Sequence, residues 1–200
     1  MKQPFSLLLL LISFQLFSQS TLDQAIQLLQ KEQYSEAVTL FQKVIETNGG
    51  GDLETLRLAK NNGSLAAYYL GSRLNKEGNI KESVLQFEKG IVWNPGFFGN
   101  HIARAESIEK LGHRKNTLKA YLYAARGCTE ALKLDYALEM LDKAEGLSKG
   151  NEKWEIIFHR GLYFEAMGDY PAAIDFYVQI KKPRKLKKQA LQKIGILNRA

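Results

Sequence analysis

Apolar residues along this chain fall into short helical stripes separated by polar or glycine-bearing breaks. Ala25, Leu28 and Leu29 precede the break Lys31-Glu32-Gln33. Tyr34, Ala37, Val38, Phe41, Val44 and Ile45 then recur at the i, i+3, i+4, i+7 spacing of a helix with one buried face. The layout returns as Leu70, Gly71 and Leu74, the break Gly78-Asn79, and Ile80, Val84, Phe87 and Ile91, closed by Asn94-Pro95. It returns again as Ile157, Gly161 and Phe164, the break Gly168-Asp169, and Tyr170, Ala173, Tyr177 and Ile180. Each passage predicts two helices joined by a short turn, where glycine supplies a left-handed backbone position at little cost.

The period is about 34 residues: Phe87 to Tyr121 and Gly161 to Gly195 are both 34 apart. One unit reads Ala67-x2-Leu70-Gly71-x2-Leu74, Ser83-x3-Phe87 and Pro95; another reads Ile157-x2-Arg160-Gly161-x2-Phe164 and Ala173-x3-Tyr177. The first offers Ala25-x2-Leu28 and Ala37-x3-Phe41, and a further one Ala105-x2-Ile108, Gly112 and Thr117-x3-Tyr121. With these letters at these spacings, the chain resembles the tetratricopeptide repeat (TPR) family over most of residues 21–181. The resemblance implies an all-α, right-handed solenoid of stacked antiparallel helix pairs with a C-terminal capping helix. Small residues such as Ala25, Gly71, Ala105 and Gly161 would stand where the helices of a pair cross. Phe41, Phe87, Tyr121 and Tyr177 would fill the groove against the next pair.

Two stretches break the period. Phe41 to Phe87 is 46 residues, so about 12 are inserted, and Asn48-Gly49-Gly50-Gly51-Asp52 places an inserted loop at about 48–61. Tyr121 to Tyr177 is 56 residues, which leaves an irregular region at about 127–150. There Ala137-x3-Leu141-x2-Ala144 has a second-helix pattern without a clear first helix, and the helix register between 97 and 150 stays open.

The ends differ from the middle. Residues 1–20 read as a signal peptide: Met1-Lys2, an apolar run from Phe5 to Phe17, then Ser18-Gln19-Ser20, with cleavage after Ser18 or after Ser20. About 13 apolar residues are too few to cross a ~30 Å hydrocarbon core. A bacterial chain so addressed is expected to be exported, to the periplasm or beyond. At the other end, residues 182–200 predict a basic amphipathic capping helix, with Pro183 at its start. Lys181, Lys182, Arg184, Lys185, Lys187, Lys188, Lys193 and Arg199 stand in the last twenty residues without one acidic group. The formal charge of +7 is therefore local: residues 21–180 hold nineteen basic against twenty-one acidic groups. An anionic surface is the partner such a tail suits, whereas nucleic acid lacks the interleaved aromatics that stack bases.

Composition excludes other classes. At 45% hydrophobic and 24% charged the chain is globular, and its single cysteine, Cys128, excludes an internal disulfide. The glycines at 49–51 lack the Gly-Lys-Ser/Thr of a phosphate loop, and His101, His113 and His159 lack metal-ligand spacing. Neither a cofactor, a metal nor a catalytic residue is expected, and the chain is read as a non-enzyme. What remains is a binding surface, in which the first helix of each pair lines a groove that takes a protein or peptide segment. This nominates Tyr68, Ser72 and Asn75, then Ile102, Glu106 and Glu109, then Phe158, Leu162 and Glu165. Some TPR proteins clamp a terminal carboxylate with Lys and Asn on first helices; Tyr68 and Ser72 stand there instead, so that activity is not implied.

Overall fold

A computed structural model describes residues 20–199. The leader assigned to residues 1–20 lies outside them, apart from residue 20, which is helical. The described residues are helical with no strand among them. The helices are α1 (residues 20–30), α2 (Tyr34–Glu46), α3 (Leu53–Lys76), α4 (Ile80–Trp93) and α5 (Phe98–Lys110). There follow α6 (Arg114–Glu130), α7 (Leu134–Leu147), α8 (Lys153–Met167), α9 (Tyr170–Val178) and α10 (Arg184–Leu197). The chain forms two compact units, one ending at Asn100 and the other beginning at His101.

Short turns set the pairing. One residue in each of five turns is left-handed: Glu32 (φ 59°), Gly78 (85°), Gly112 (78°), Leu132 (55°) and Gly168 (79°). The amide after it commonly reaches back to close the preceding helix, as when Asn79 N donates to Leu74 O and Lys133 N to Cys128 O. Glycine meets this need at three turns; at Glu32 and Leu132 a side chain accepts the strained conformation.

In the first unit α2 packs on α3 and α3 on α4, around Leu22, Ala25, Ala37, Val38, Phe41, Val44, Ala59, Ala66 and Ala67. The loop expected at 48–61 is confined to 48–52, because Asp52 caps a helix that takes up the rest. Its carboxylate accepts from the amides of Glu54 (3.4 Å) and Thr55 (2.9 Å). The insertion therefore lengthens α3 to 24 residues, and its small positions let α2 and α4 approach. A Cβ on Gly63 would stand 3.0 Å from both Phe41 Cβ and the Trp93 ring.

In the second unit the region expected to be irregular at 127–150 is the end of α6, a tight turn, and α7, followed by a single 3-10 turn at Gly150–Glu152. The physical reason is that α6 serves two pairs. Ala105, Thr117 and Tyr121 pair it with α5, while Ala125, Ala137 and Leu141, at the same intervals of 12 and 4, pair it with α7. It also packs on α8. Ten of its residues are buried, from Thr117 to Thr129, so it shows no single apolar stripe. Last, α10 packs on α9 and α8, with Ala190 buried beside Tyr177 and Ile180 and with Leu186, Ile194 and Leu197 against them.

Two of the large residues fill space inside their own pair as well. A Cβ on Gly71 would meet the Phe87 ring at 2.7 Å, and one on Gly161 would meet the Tyr177 ring at 2.3 Å. Large residues also reach forward as expected: Phe41 lies against Gly63 of α3, and Tyr177 clusters with Ala190 of α10.

Candidate functional site

The nine groove candidates meet different fates. Tyr68 is half-buried in an aromatic group, 5.5 Å from Phe97, 5.6 Å from Tyr69 and 6.0 Å from Phe87, centroid to centroid. Ser72 and Asn75 are half-buried one and two turns on. Beside them Tyr69 stacks on Tyr34 at 5.1 Å, and Arg73 lies 4.6 Å over the Tyr34 ring while donating to Glu32 O at 3.0 Å. These contacts tie α3 to the turn after α1. In the second unit, Ile102 packs against the core and Glu106 lies 3.7 Å from Lys143 Nζ.

Glu109 and Glu165 are acceptors within the repeat. Tyr121 Oη donates to Glu109 Oε2 at 2.7 Å, and Tyr177 Oη donates to Glu165 Oε2 at 3.0 Å. Each glutamate precedes its tyrosine by 12 residues; where the large residue is Phe41 or Phe87, the same place holds Leu29 or Asn75. Burial, with the neighbouring carboxylates adding to it, pushes both phenols well above their usual range, so both stay protonated donors.

Phe158, Leu162 and Glu165 do come together. They line a cleft of about 600 Å³ with Arg126, Thr129 and Glu130 from the end of α6, Leu132 from the turn after it, and Gln189 and Lys193 from α10. Its floor is α8, where Phe158 rests 5.5 Å from the Tyr177 ring. The walls carry paired charges: Arg126 Nε to Glu130 Oε1 at 2.8 Å, and Lys193 Nζ to Glu165 Oε2 at 2.8 Å. A second hollow of about 340 Å³ continues from it past His159, Glu155, Lys185 and Leu186. Burial and the positive Arg126 push the His159 imidazole down to about 4, so it is neutral at pH 7.

The cleft residues from α6 and α10 were not among the sequence candidates. For α6 the signal was present in Ala125-x11-Ala137-x3-Leu141, which marks it as a first helix as well as a second. For α10, Gln189 and Lys193 stand four apart on one helical stripe with Lys185, within what the sequence showed only as a charged run.

The basic residues Lys181, Lys182, Arg184, Lys185, Lys187 and Lys188 are all exposed. Cys128 is fully buried, and burial pushes its thiol up to about 11. From the start of α6 to the α7–α8 connection, Arg114 makes a two-pronged bond to Glu152 at 2.7 and 2.9 Å and also donates to Leu147 O at 2.6 Å. No described helix is long and apolar enough to cross a membrane.

No protein-family model matches the chain, and no curated protein does. Two solved structures are similar over most of its length. The MamA RS-1 ArsTM double mutant is 15% identical, with 86% of this chain and 95% of that one covered and a TM-score of 0.32. A thermophilic TPR protein of Thermus thermophilus is 17% identical, with 88% and 98% covered and a TM-score of 0.33. Those scores are low, and the helix-pair architecture described above rests on the packing of this chain itself.

Proposed function

We propose that this chain is an exported, non-catalytic scaffold that binds a segment of a partner protein on first-helix surfaces. The observation that carries the reading is the cleft on α8, where apolar Phe158, Leu162 and Leu132 are open between walls of charged side chains. Its floor is held from beneath by the Tyr177–Glu165 bond and its side by the Glu165–Lys193 pair. A site ordered in advance spares a bound segment part of the entropy cost of association. The burial and raised thiol of Cys128 count against a cysteine nucleophile. Export rests on the leader pattern of residues 1–20, and mass spectrometry of secreted protein beginning at Gln19 or Thr21 would support it.

The test is a pull-down from cell-envelope extract with cleft variants. Phe158→Ala with Leu162→Ala should lose a captured partner while the helical circular dichroism spectrum persists. Capture unchanged by that pair would overturn the reading.

A second reading has its own observation: six exposed cations on and just before α10, in a stretch with no acidic residue, suit an anionic surface. Each cation near such a surface contributes about 1 kcal/mol, weakened by salt. Deleting α10 would be a poor test, since Leu186, Ala190, Ile194 and Leu197 cover Tyr177 and Ile180. Changing Lys181, Lys182, Lys187 and Lys188 to Gln removes charge without uncovering the core. Loss of vesicle binding with partner capture intact would separate the two readings.

A further inference from the structure

The hollow that continues the cleft toward the start of α8 has a chemistry of its own. Its polar walls are Arg126 from α6, Lys185 and Gln189 from α10, and Glu155 and His159 from α8. The side chains of His159, Lys185 and Gln189 carry no hydrogen bond or ion pair among the described residues. Arg126 has Glu130 one turn on, yet both are more than half exposed, and such a pair holds its partners weakly. In the cleft proper each acid is already matched, Glu130 by Arg126 and Glu165 by Lys193 and the Tyr177 hydroxyl. The hollow differs: two cations face it against Glu155 alone, beside an amide and an imidazole with bonds to give.

Apolar surface adjoins this polar corner. Phe158 and Leu162 line both spaces and stand one helical turn apart, with Ala166 a turn further on. Four residues of helix rise about 6 Å, and alternate side chains of an extended strand stand about 6.5 Å apart. An extended segment laid along α8 therefore sets every second side chain over successive turns of the floor.

We propose that the hollow selects an internal Asp or Glu of the partner segment that the cleft holds. The segment is extended, with the acid two residues from the first of two apolar side chains that are themselves two residues apart. Its carboxylate faces Lys185, Arg126 and His159, and its apolar side chains lie on Phe158 and Leu162. This rests on the cleft reading above and adds to it the charge of the occupant. A carboxylate also changes His159. Burial and Arg126 keep that imidazole neutral, Lys185 is the other cation of the hollow, and Glu155 is its one acid. An incoming carboxylate favours the imidazolium, so binding takes up a proton and tightens as pH falls from 7 to 5.

The experiment is selection of peptides from a random display library on the full chain, read position by position. An acid should be enriched two places from an apolar pair. Lys185→Glu should exchange that acid for Lys or Arg, and Lys185 is exposed, so the variant keeps its helical circular dichroism spectrum. A selected peptide, amidated at its C-terminus so that only a side chain offers a carboxylate, is then titrated into the chain. Changing its acid to the amide should weaken binding about tenfold, the worth of a charge-assisted hydrogen bond. NMR of the His159 ring should show its midpoint raised from about 4 toward 6.5 by the peptide. Peptides that keep the apolar pair without an acid overturn this proposal and leave the cleft reading standing; selection of no peptide sinks both. The proposal also falls if Lys185→Glu leaves the acid preference unchanged, if the peptide leaves the His159 midpoint in place, or if acetate alone moves it as far.

Discussion

Glu32 and Leu132 hold a backbone conformation that Gly78, Gly112 and Gly168 hold without a Cβ. An L-residue there gives up about 1–2 kcal/mol relative to the right-handed helix, which glycine avoids. Glu32→Gly should therefore raise the unfolding free energy, by up to about 1 kcal/mol after glycine's greater unfolded-state freedom is set against it. Its carbonyl bond from Arg73 survives the change, so a urea titration should show a higher midpoint at unchanged slope. His159 supplies a pH-dependent term. Its imidazole is held at about 4 when folded against about 6.5 when free, so only the unfolded chain takes up the proton between those values. Stability is then undiminished above pH 6.5 and falls as pH drops toward 4. Replacing His159 with Gln should flatten that part of a stability-against-pH curve; an unchanged slope would place the loss elsewhere.

Helices in this protein meet through close small-to-large contacts. Gly161 stands under Tyr177 so closely that an added Cβ would lie 2.3 Å from the ring. Alanine is the better helix former by about 1 kcal/mol, yet Gly161→Ala should destabilise by about 1–3 kcal/mol, because the ring is fully buried and cannot retreat. A lowered melting temperature checks this. The connection between α7 and α8 depends on charge. Arg114 and the Lys149 amide hold the Glu152 carboxyl down to about 2, with the larger share from the two-pronged Arg114 bond. A carboxyl depressed on folding contributes stability above its ordinary value near 4.5, and that contribution is lost as pH falls toward 2. Arg114→Gln should bring Glu152 back toward its ordinary range, which NMR titration of that carboxyl reads directly. The pairing of helices was legible where one face alone is apolar, as in α2 and α4. It was hidden in α6, whose ten buried residues face α5, α7 and α8 in turn and leave no period to read.

Charge belongs to the whole molecule. The first unit carries nine basic and nine acidic groups, and the second carries all of the +7. Binding of any acidic partner to the second unit should therefore weaken with salt. Neutralising Lys181, Lys182, Lys187 and Lys188 should reduce the slope of log affinity against log salt, and a slope left intact would move the contact off α10.

From the sequence alone came the all-α repeat, its period near 34, the turns and the basic end, because these are set by local spacing and turn chemistry. Tertiary structure decided the rest. An insertion that looks like a glycine-led loop became three more turns of α3, since Asp52 caps a helix whose small residues fit α2 and α4. Glu109 and Glu165 stand at the same helical position as free groove residues would, yet only packing shows that each is held by a tyrosine from the neighbouring helix. The cleft exists because α6 and α10, each separated from α8 in sequence by another helix, flank the same face of α8. Periodicity tells which side of a helix is covered; it does not tell by what.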